Sequence, residues 1–240
     1  MEDQSKFAIH AAAREGKVMT VESLLNADPK LARLQDDDGR LPIHWAASSN
    51  QPEIVSLLVQ QKGFDPDIQD ESGWTPLMIA GSVKDGEKIV DLLLSKGADV
   101  NQTNNSGQTV LHFVASKNNM DVARKLFEQK PPVSARVRDK RGQYPLHRAA
   151  AVGSVPMISL LIKNRSPLNA TDSTGYTALH HAVAEGHGDA ALALLQAGAD
   201  KDLRDMEGHL ALDLAPDTEV RKYIERMAEG EGIELHRVRA

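Results

Sequence analysis

Nine histidines in an acidic chain of 240 residues are the first chemistry the sequence offers. Histidine ligates zinc and serves as a general base, and His180, His181 and His187 lie close together in sequence. Five of the nine, however, recur at a nearly fixed interval, at His10, His44, His112, His147 and His180. Metal ligands must all lie about 2 Å from one ion, whereas packed helix layers stand roughly 10 Å apart. Residues one layer apart therefore share no ion. Around His181 and His187 the carboxylate pattern of a zinc helix is missing. The chain carries no G-x-S-x-G, no P-loop lysine motif and no G-x-G-x-x-G after a strand. "GSVKDGEK" (81–88) superficially resembles a phosphate loop but reads as a turn between two helices. The expectation is no catalytic site, no metal and no cofactor: a binding protein rather than an enzyme.

The histidine interval belongs to a longer pattern. "FAIHAA" (7–12), "LPIHWA" (41–46), "TPLMIA" (75–80), "TVLHFV" (109–114), "YPLHRA" (144–149), "TALHHA" (177–182) and "LALDLA" (210–215) share one register, with fourth positions 33 to 35 residues apart. A glycine stands five residues before that position at Gly39, Gly73, Gly107, Gly142, Gly175 and Gly208. In "TPLMIA", Thr75 can cap a helix and Pro76 suits its first position, where the missing N–H costs nothing. A second apolar-periodic segment follows in each unit, as in "EKIVDLLLSKG" and "DAALALLQAGAD". Gly97 and Gly198 stop it, and polar segments such as "DVNQTNNSGQ" make the turn of a hairpin. The T-P-L-H-x-A core at a period near 33 resembles the ankyrin repeat.

The expected fold is all-α: a solenoid of seven helix-turn-helix repeats with short β-hairpin loops, in which each unit buries its apolar face on its neighbours. The repeats run approximately 1–35, 36–69, 70–103, 104–138, 139–171, 172–204 and 205–234, in one domain over 1–234, with a mobile tail at 235–240. The end units depart most from the motif, and "AEGEGIELHRVRA" (228–240) has no repeat partner. Composition agrees: 41% of residues are hydrophobic but only 4% aromatic, which suits slim packed helices.

With no cysteine, the chain needs no oxidising compartment and is expected to be intracellular. Its start lacks a basic segment followed by an apolar one, and no run of about 18 apolar residues suggests a membrane span. A net charge of -6 argues against nucleic acid. Residues 1–120 hold 11 basic against 17 acidic side chains, and residues 121–240 hold 17 of each. The hairpin tips change sign in the same sense: Asp36, Asp37, Asp38 and Arg40, then Asp70 and Glu71, then uncharged "NNSG", then Arg138, Lys140 and Arg141. Tips and first-helix faces are expected to line a concave groove. The fifth motif position faces that groove and carries Trp45, Ile79, Phe113, Arg148 and His181, with Trp74 and Tyr144 just before the motif. Aromatics and arginine are common interface anchors; core packing of Trp45 is the competing reading.

Over residues 4–227, "DDDGRLPIHWA", "DESGWTPL", "VLHFVASKN", "YPLHRAAAVGS" and "AEGHGDAA" resemble the gankyrin family in its fungal form. That resemblance implies an assembly chaperone of the 26S proteasome's 19S regulatory particle, located in cytoplasm and nucleus and monomeric on its own. It implies that the groove holds the C-terminal domain of the third regulatory-particle ATPase and sterically delays docking on the 20S core. The matching charged positions are Asp38, Arg40, Asp70, Glu71 and Lys117. The retinoblastoma-binding L-x-C-x-E motif of the mammalian relative is replaced here by His181, Ala182, Val183, Ala184 and Glu185. The competing reading is an ankyrin-repeat inhibitor or scaffold for a kinase or transcription factor.

Overall fold

A computed structural model describes residues 7–235. The described chain holds thirteen α-helices and two short 3-10 helices, and no strand. Its described residues divide into two compact units, one running to Lys117 and including Arg124–Val133, the other made of Asn118–Ala123 and the chain from Ser134 onward.

Unit 1 contains α1 (Ala8–Glu15), α2 (Val18–Ala27), a 3-10 helix (Pro29–Arg33), α3 (Pro42–Ser48), α4 (Pro52–Leu58), α5 (Pro76–Ser82), α6 (Glu87–Ser95) and α7 (Val110–Ser116). The first helices α1, α3, α5 and α7 pack in succession, and α2, α4 and α6 form a second row. The division runs through α8 (Met120–Glu128). Unit 2 contains α9 (Pro145–Ala151), α10 (Val155–Lys163), α11 (Ala178–Ala184), α12 (Gly188–Gln196), a 3-10 helix (Ala211–Leu214) and α13 (Thr218–Gly230). Here α9 packs on α11, α10 on α12, and α12 on α13. The expected repeats are therefore present, with a 3-10 turn in place of the first helix in the last one.

Helix starts follow the local chemistry read from the sequence. Thr75 Oγ1 accepts the Met78 N–H (3.2 Å) and Pro76 opens α5. Alanines at the packed face, such as Ala46, Ala47, Ala149 and Ala150, are fully buried and let neighbouring first helices approach closely. "GSVKDGEK" is the turn joining α5 to α6; a Cβ on Gly86 would stand 2.1 Å from the Ala80 carbonyl oxygen.

The expected β-hairpins are present only as turns. The Gly39 N–H donates to Asp36 O and the Asp36 N–H to Arg40 O, both at 3.0 Å, and five later turns repeat the pattern. Each is too short to build a ladder. Within each unit, neighbouring turns are joined by a single backbone bond, such as Ser173 N–H to Arg141 O (2.8 Å) in unit 2. The glycines make this approach possible. Gly175 has φ +82°, and a Cβ there would lie 2.7 Å from the Met206 nitrogen.

The motif histidines tie these parts together. The Tyr144 N–H donates to His147 Nδ1 (3.1 Å) and His147 Nε2–H donates to Ala170 O (3.1 Å). His44 likewise takes the Leu41 N–H at 3.0 Å and donates to Ile68 O and Trp74 O, each at 3.2 Å. In the last repeat Asp213 replaces histidine, and its Oδ2 accepts the Leu210 N–H (3.0 Å). A carboxylate suffices where no further hairpin follows among the described residues. At the chain end, α13 extends to Gly230 with Ala228 fully buried, so the partnerless tail begins later than residue 228. Of the expected tail at 235–240, residues 236–240 lie outside the described residues.

Burial, reinforced by the neighbouring His181, pushes the His147 imidazole down to about 4, and burial also lowers His44 and His180. An unfolded histidine titrates near pH 6.5, roughly. Above that value His147 is neutral in both states. Between it and about 4 only the unfolded chain takes up the proton, so stability falls with falling pH. We expect denaturant midpoints to drop between pH 7 and pH 4, with His147 contributing on the order of 3 kcal/mol. His147→Gln should unfold more easily at pH 7, by about 1 to 3 kcal/mol, and show a flatter pH dependence; an unchanged slope would remove His147 from this role.

Candidate partner-binding surface

The first residue of each hairpin turn is an aspartate or asparagine whose Oδ1 accepts two backbone N–H groups of its own turn. Asp36 takes those of Asp38 (3.0 Å) and Arg40 (2.9 Å), and Asp70 those of Ser72 (3.0 Å) and Trp74 (2.9 Å). Asn104 does the same with Ser106 (3.0 Å) and Gln108 (2.9 Å). In unit 2 the role falls to Asp139, Asp172 and Asp205. These side-chain oxygens hold the turns, and the second oxygens of Asp36, Asp70, Asp139 and Asp172 organise the side chains around them.

In unit 1, Trp45 Nε1–H donates to Asp36 Oδ2 (2.7 Å). Burial pushes the Asp36 carboxyl up, but the bonds from Trp45, Arg40 and Asp38 outweigh it and hold it below the usual carboxylate range. Arg40 Nε–H donates to Asp70 Oδ2 (3.1 Å), and its guanidinium carbon lies 5.1 Å from the Trp45 ring centroid. Arg14, which sequence reasoning missed, stands 5.6 Å from the same ring. Trp45 is thus a half-buried platform for two cations. Trp74 and Phe113 stack at 4.3 Å with planes 28° apart. The Asp70 side chain is only 2% exposed, so the surface there presents its partner Arg40, 31% exposed, rather than the carboxylate. Asp37, Asp38, Glu71 and Lys117 are exposed and have no ion-pair partner among the described residues.

Unit 2 repeats the arrangement with different side chains. Arg148 Nη2–H donates to Asp139 Oδ2 (3.0 Å), with the arginine side chain 25% exposed. Tyr144 stacks on His147 with centroids 5.9 Å apart. Asp172 Oδ2 accepts from Gln143 Nε2 (3.0 Å) and His181 Nε2 (2.9 Å). Burial raises the Asp172 carboxyl, yet the hydrogen bonds from Thr174, Gln143 and His181 together hold it far below the ordinary range. His187 Nε2–H donates to Ala151 O (3.1 Å), so His181 and His187 serve different partners. Lys140 and Arg141 are exposed without an ion-pair partner among the described residues.

The site residues expected from the sequence therefore fall into three kinds. Asp37, Asp38, Glu71, Lys117, Lys140 and Arg141 project freely. Arg40, Trp45, Asp70 and Arg148 belong to intramolecular pairs, and Trp74, Phe113 and Tyr144 present half-buried rings. The recurrence of Asp or Asn three residues before each motif glycine was the available signal for the turn-holding role. Among the described residues, no group of three or more metal-ligating side chains converges.

A family model for ankyrin repeats (three copies) matches residues 9–104, 44–136 and 111–205. The Saccharomyces cerevisiae protein named "Probable 26S proteasome regulatory subunit p28" is 44% identical over 115 residues, 47% of this chain and 50% of that protein. A Schizosaccharomyces pombe ankyrin repeat-containing protein, C6C3.08, is 41% identical over 107 residues, 45% of each chain. The chain thus spans about half the length of these curated relatives. The ankyrin repeat domain of Bcl-3, a member of the IkappaB family, superposes with a TM-score of 0.70 at 25% identity, over 90% of this chain and 97% of that one. The repeat fold and the likeness to the gankyrin family read from the motifs are both borne out.

Asp70 provides a direct check on the turn-holding role. Asp70→Asn keeps the two N–H bonds, as Asn104 does naturally, loses the Arg40 contact, and should cost about 1 kcal/mol, less than loss of the acceptor. Asp70→Ala leaves two N–H groups without an acceptor and should cost about 2 kcal/mol or more in urea unfolding; equal losses for both variants would show that the charge, not the acceptor, matters.

Proposed function

Because the chain belongs to the ankyrin-repeat family, we propose that it is a non-enzymatic assembly chaperone of the proteasome 19S regulatory particle. It binds the C-terminal domain of the third regulatory-particle ATPase on its hairpin tips and first-helix faces, and by occupying that domain sterically delays docking on the 20S core. It acts as a monomer in cytoplasm and nucleus, without a cofactor. The observation that carries this reading is the likeness to p28, named a probable 26S proteasome regulatory subunit, over 47% of this chain.

The tips and the C-terminal end of α7, where Lys117 stands, supply a recognition chemistry suited to it. Free carboxylates at Asp37, Asp38 and Glu71 receive arginines of the partner, and Lys117, Lys140 and Arg141 receive its carboxylates. Such complementarity speeds encounter and fixes register more than it adds affinity. Trp45, Trp74, Phe113 and Tyr144 offer the flat apolar area that interface centres use, with Arg40, paired to Asp70, lying against Trp45. An inhibitor or scaffold for a kinase or transcription factor would use the same fold with a different complement of charges.

Calorimetric titration with the C-terminal domain of each ring ATPase separates these readings. One domain, that of the third ATPase, should bind. Lys117→Glu and Arg40→Glu should each weaken that binding by about tenfold or more, with thermal melts confirming that the variants fold. Equal binding of all the domains, or none, would favour the scaffold reading, to be followed by capture of a kinase or transcription factor.

A further inference from the structure

The turn that follows a second helix is built alike in the third and sixth repeats. A glycine of positive φ, Gly97 (+82°) or Gly198 (+91°), is followed by Ala98 or Ala199. After α4 the glycine is kept, as Gly63 at +77°, but the next residue is Phe64. After α2 the glycine position holds Pro29, and the chain winds into the 3-10 helix Pro29–Arg33, capped by Asp28, which accepts the Lys30 N–H at 3.0 Å. A cavity of about 120 Å³ opens between that 3-10 helix and the Phe64 turn. Leu41, Ile43, Leu58 and Phe64 line it, the first three buried, and the exposed Arg33 and Lys62 stand at its rim.

We propose that this cavity anchors the C-terminal residue of a partner protein, with an aliphatic side chain inside and the terminal carboxylate between Arg33 and Lys62. The volume selects the side chain. An apolar cavity of about 150 Å³ takes up a benzene-sized molecule, whereas pockets for whole small-molecule ligands start at about 300 Å³. One leucine, isoleucine or valine side chain is the fitting load. The rim selects the charge. Neither Arg33 nor Lys62 has an ion-pair partner among the described residues. Gly63 lets the guanidinium rest against the turn, since a Cβ there would stand 3.1 Å from Arg33 Nη1. Asp65, the carboxylate in the lining, accepts the Asp67 N–H (2.9 Å) and so belongs to its own turn. A chain-terminal aliphatic residue carries its apolar group and its negative charge on one Cα, which an internal residue does not. None of the tip residues of the proposed function lines this cavity, and the inference does not depend on that reading.

The test is fluorescence anisotropy on the full chain with labelled hexapeptides that end in leucine. The free acid is expected to bind. The C-terminal amide, and a free acid ending in serine, should bind about tenfold more weakly or worse, the loss of one charge-assisted bond or one buried side chain. Arg33→Gln combined with Lys62→Gln should bring the acid to the level of the amide while leaving the melting temperature unchanged, since both side chains are exposed. Ala32→Leu, which fills the cavity, should abolish the difference between leucine and serine ends. Equal binding of acid and amide, no binding of either, or displacement of the peptide by hexanoate at equal concentration would overturn the proposal, the last in favour of a small-acid site.

Discussion

One imidazole, held neutral, closes a helix start and joins a repeat to the next hairpin at the same time. The N–H at the head of its own helix points at Nδ1, and the carbonyl of the following turn receives Nε2–H. A protonated ring would set donor against donor at Nδ1. Burial and the N–H aimed at Nδ1 exclude the proton and outweigh the carbonyls at Nε2, which favour it, so the motif histidine is a poor base and a good strut. Where the pattern departs from histidine, the departures make sense. Asp213 keeps the acceptor and dispenses with the donor, and at the buried Met78 the Thr75 hydroxyl takes over the helix start.

The second constraint is the acceptor at the head of every turn. Because Asp36, Asp70, Asn104, Asp139, Asp172 and Asp205 each take two N–H groups, the tight turns need neither strands nor apolar burial to keep their shape. The remaining carboxylate oxygens then fix the motif side chains that face them: Trp45 on Asp36, Arg148 on Asp139 and His181 on Asp172. The first-helix faces are ordered by the turns rather than by contact with a partner, which reduces the entropy to be lost on binding.

The repeat architecture was legible because its markers are local. Histidine, glycine and the Thr-Pro start recur at fixed spacing, and each has a cause within a few residues of itself. The boundaries at the chain end were not, since nothing in "AEGEGI" announces that Ala228 is buried under α13's own packing. The exposed charges at Asp37, Asp38, Glu71, Lys117, Lys140 and Arg141 could be read as charges. The pairing of Arg40 with Asp70, 30 residues away, could not, because it depends on how successive turns are placed. The cavity beside Phe64 was also missed, although a bulky ring where sister repeats carry alanine was visible in the alignment of the repeats with one another.

Each turn separates its frame from its lettering. The head acceptor and the glycine are committed, while in three of the turns the two residues between them, Asp37-Asp38, Glu71-Ser72 and Lys140-Arg141, are exposed and hold their place through backbone alone. Drift at those pairs changes what the surface says without touching how it stands. A lineage can rewrite its interlocutor one dipeptide at a time, and a laboratory could do the same by permuting the pairs on an otherwise untouched chain.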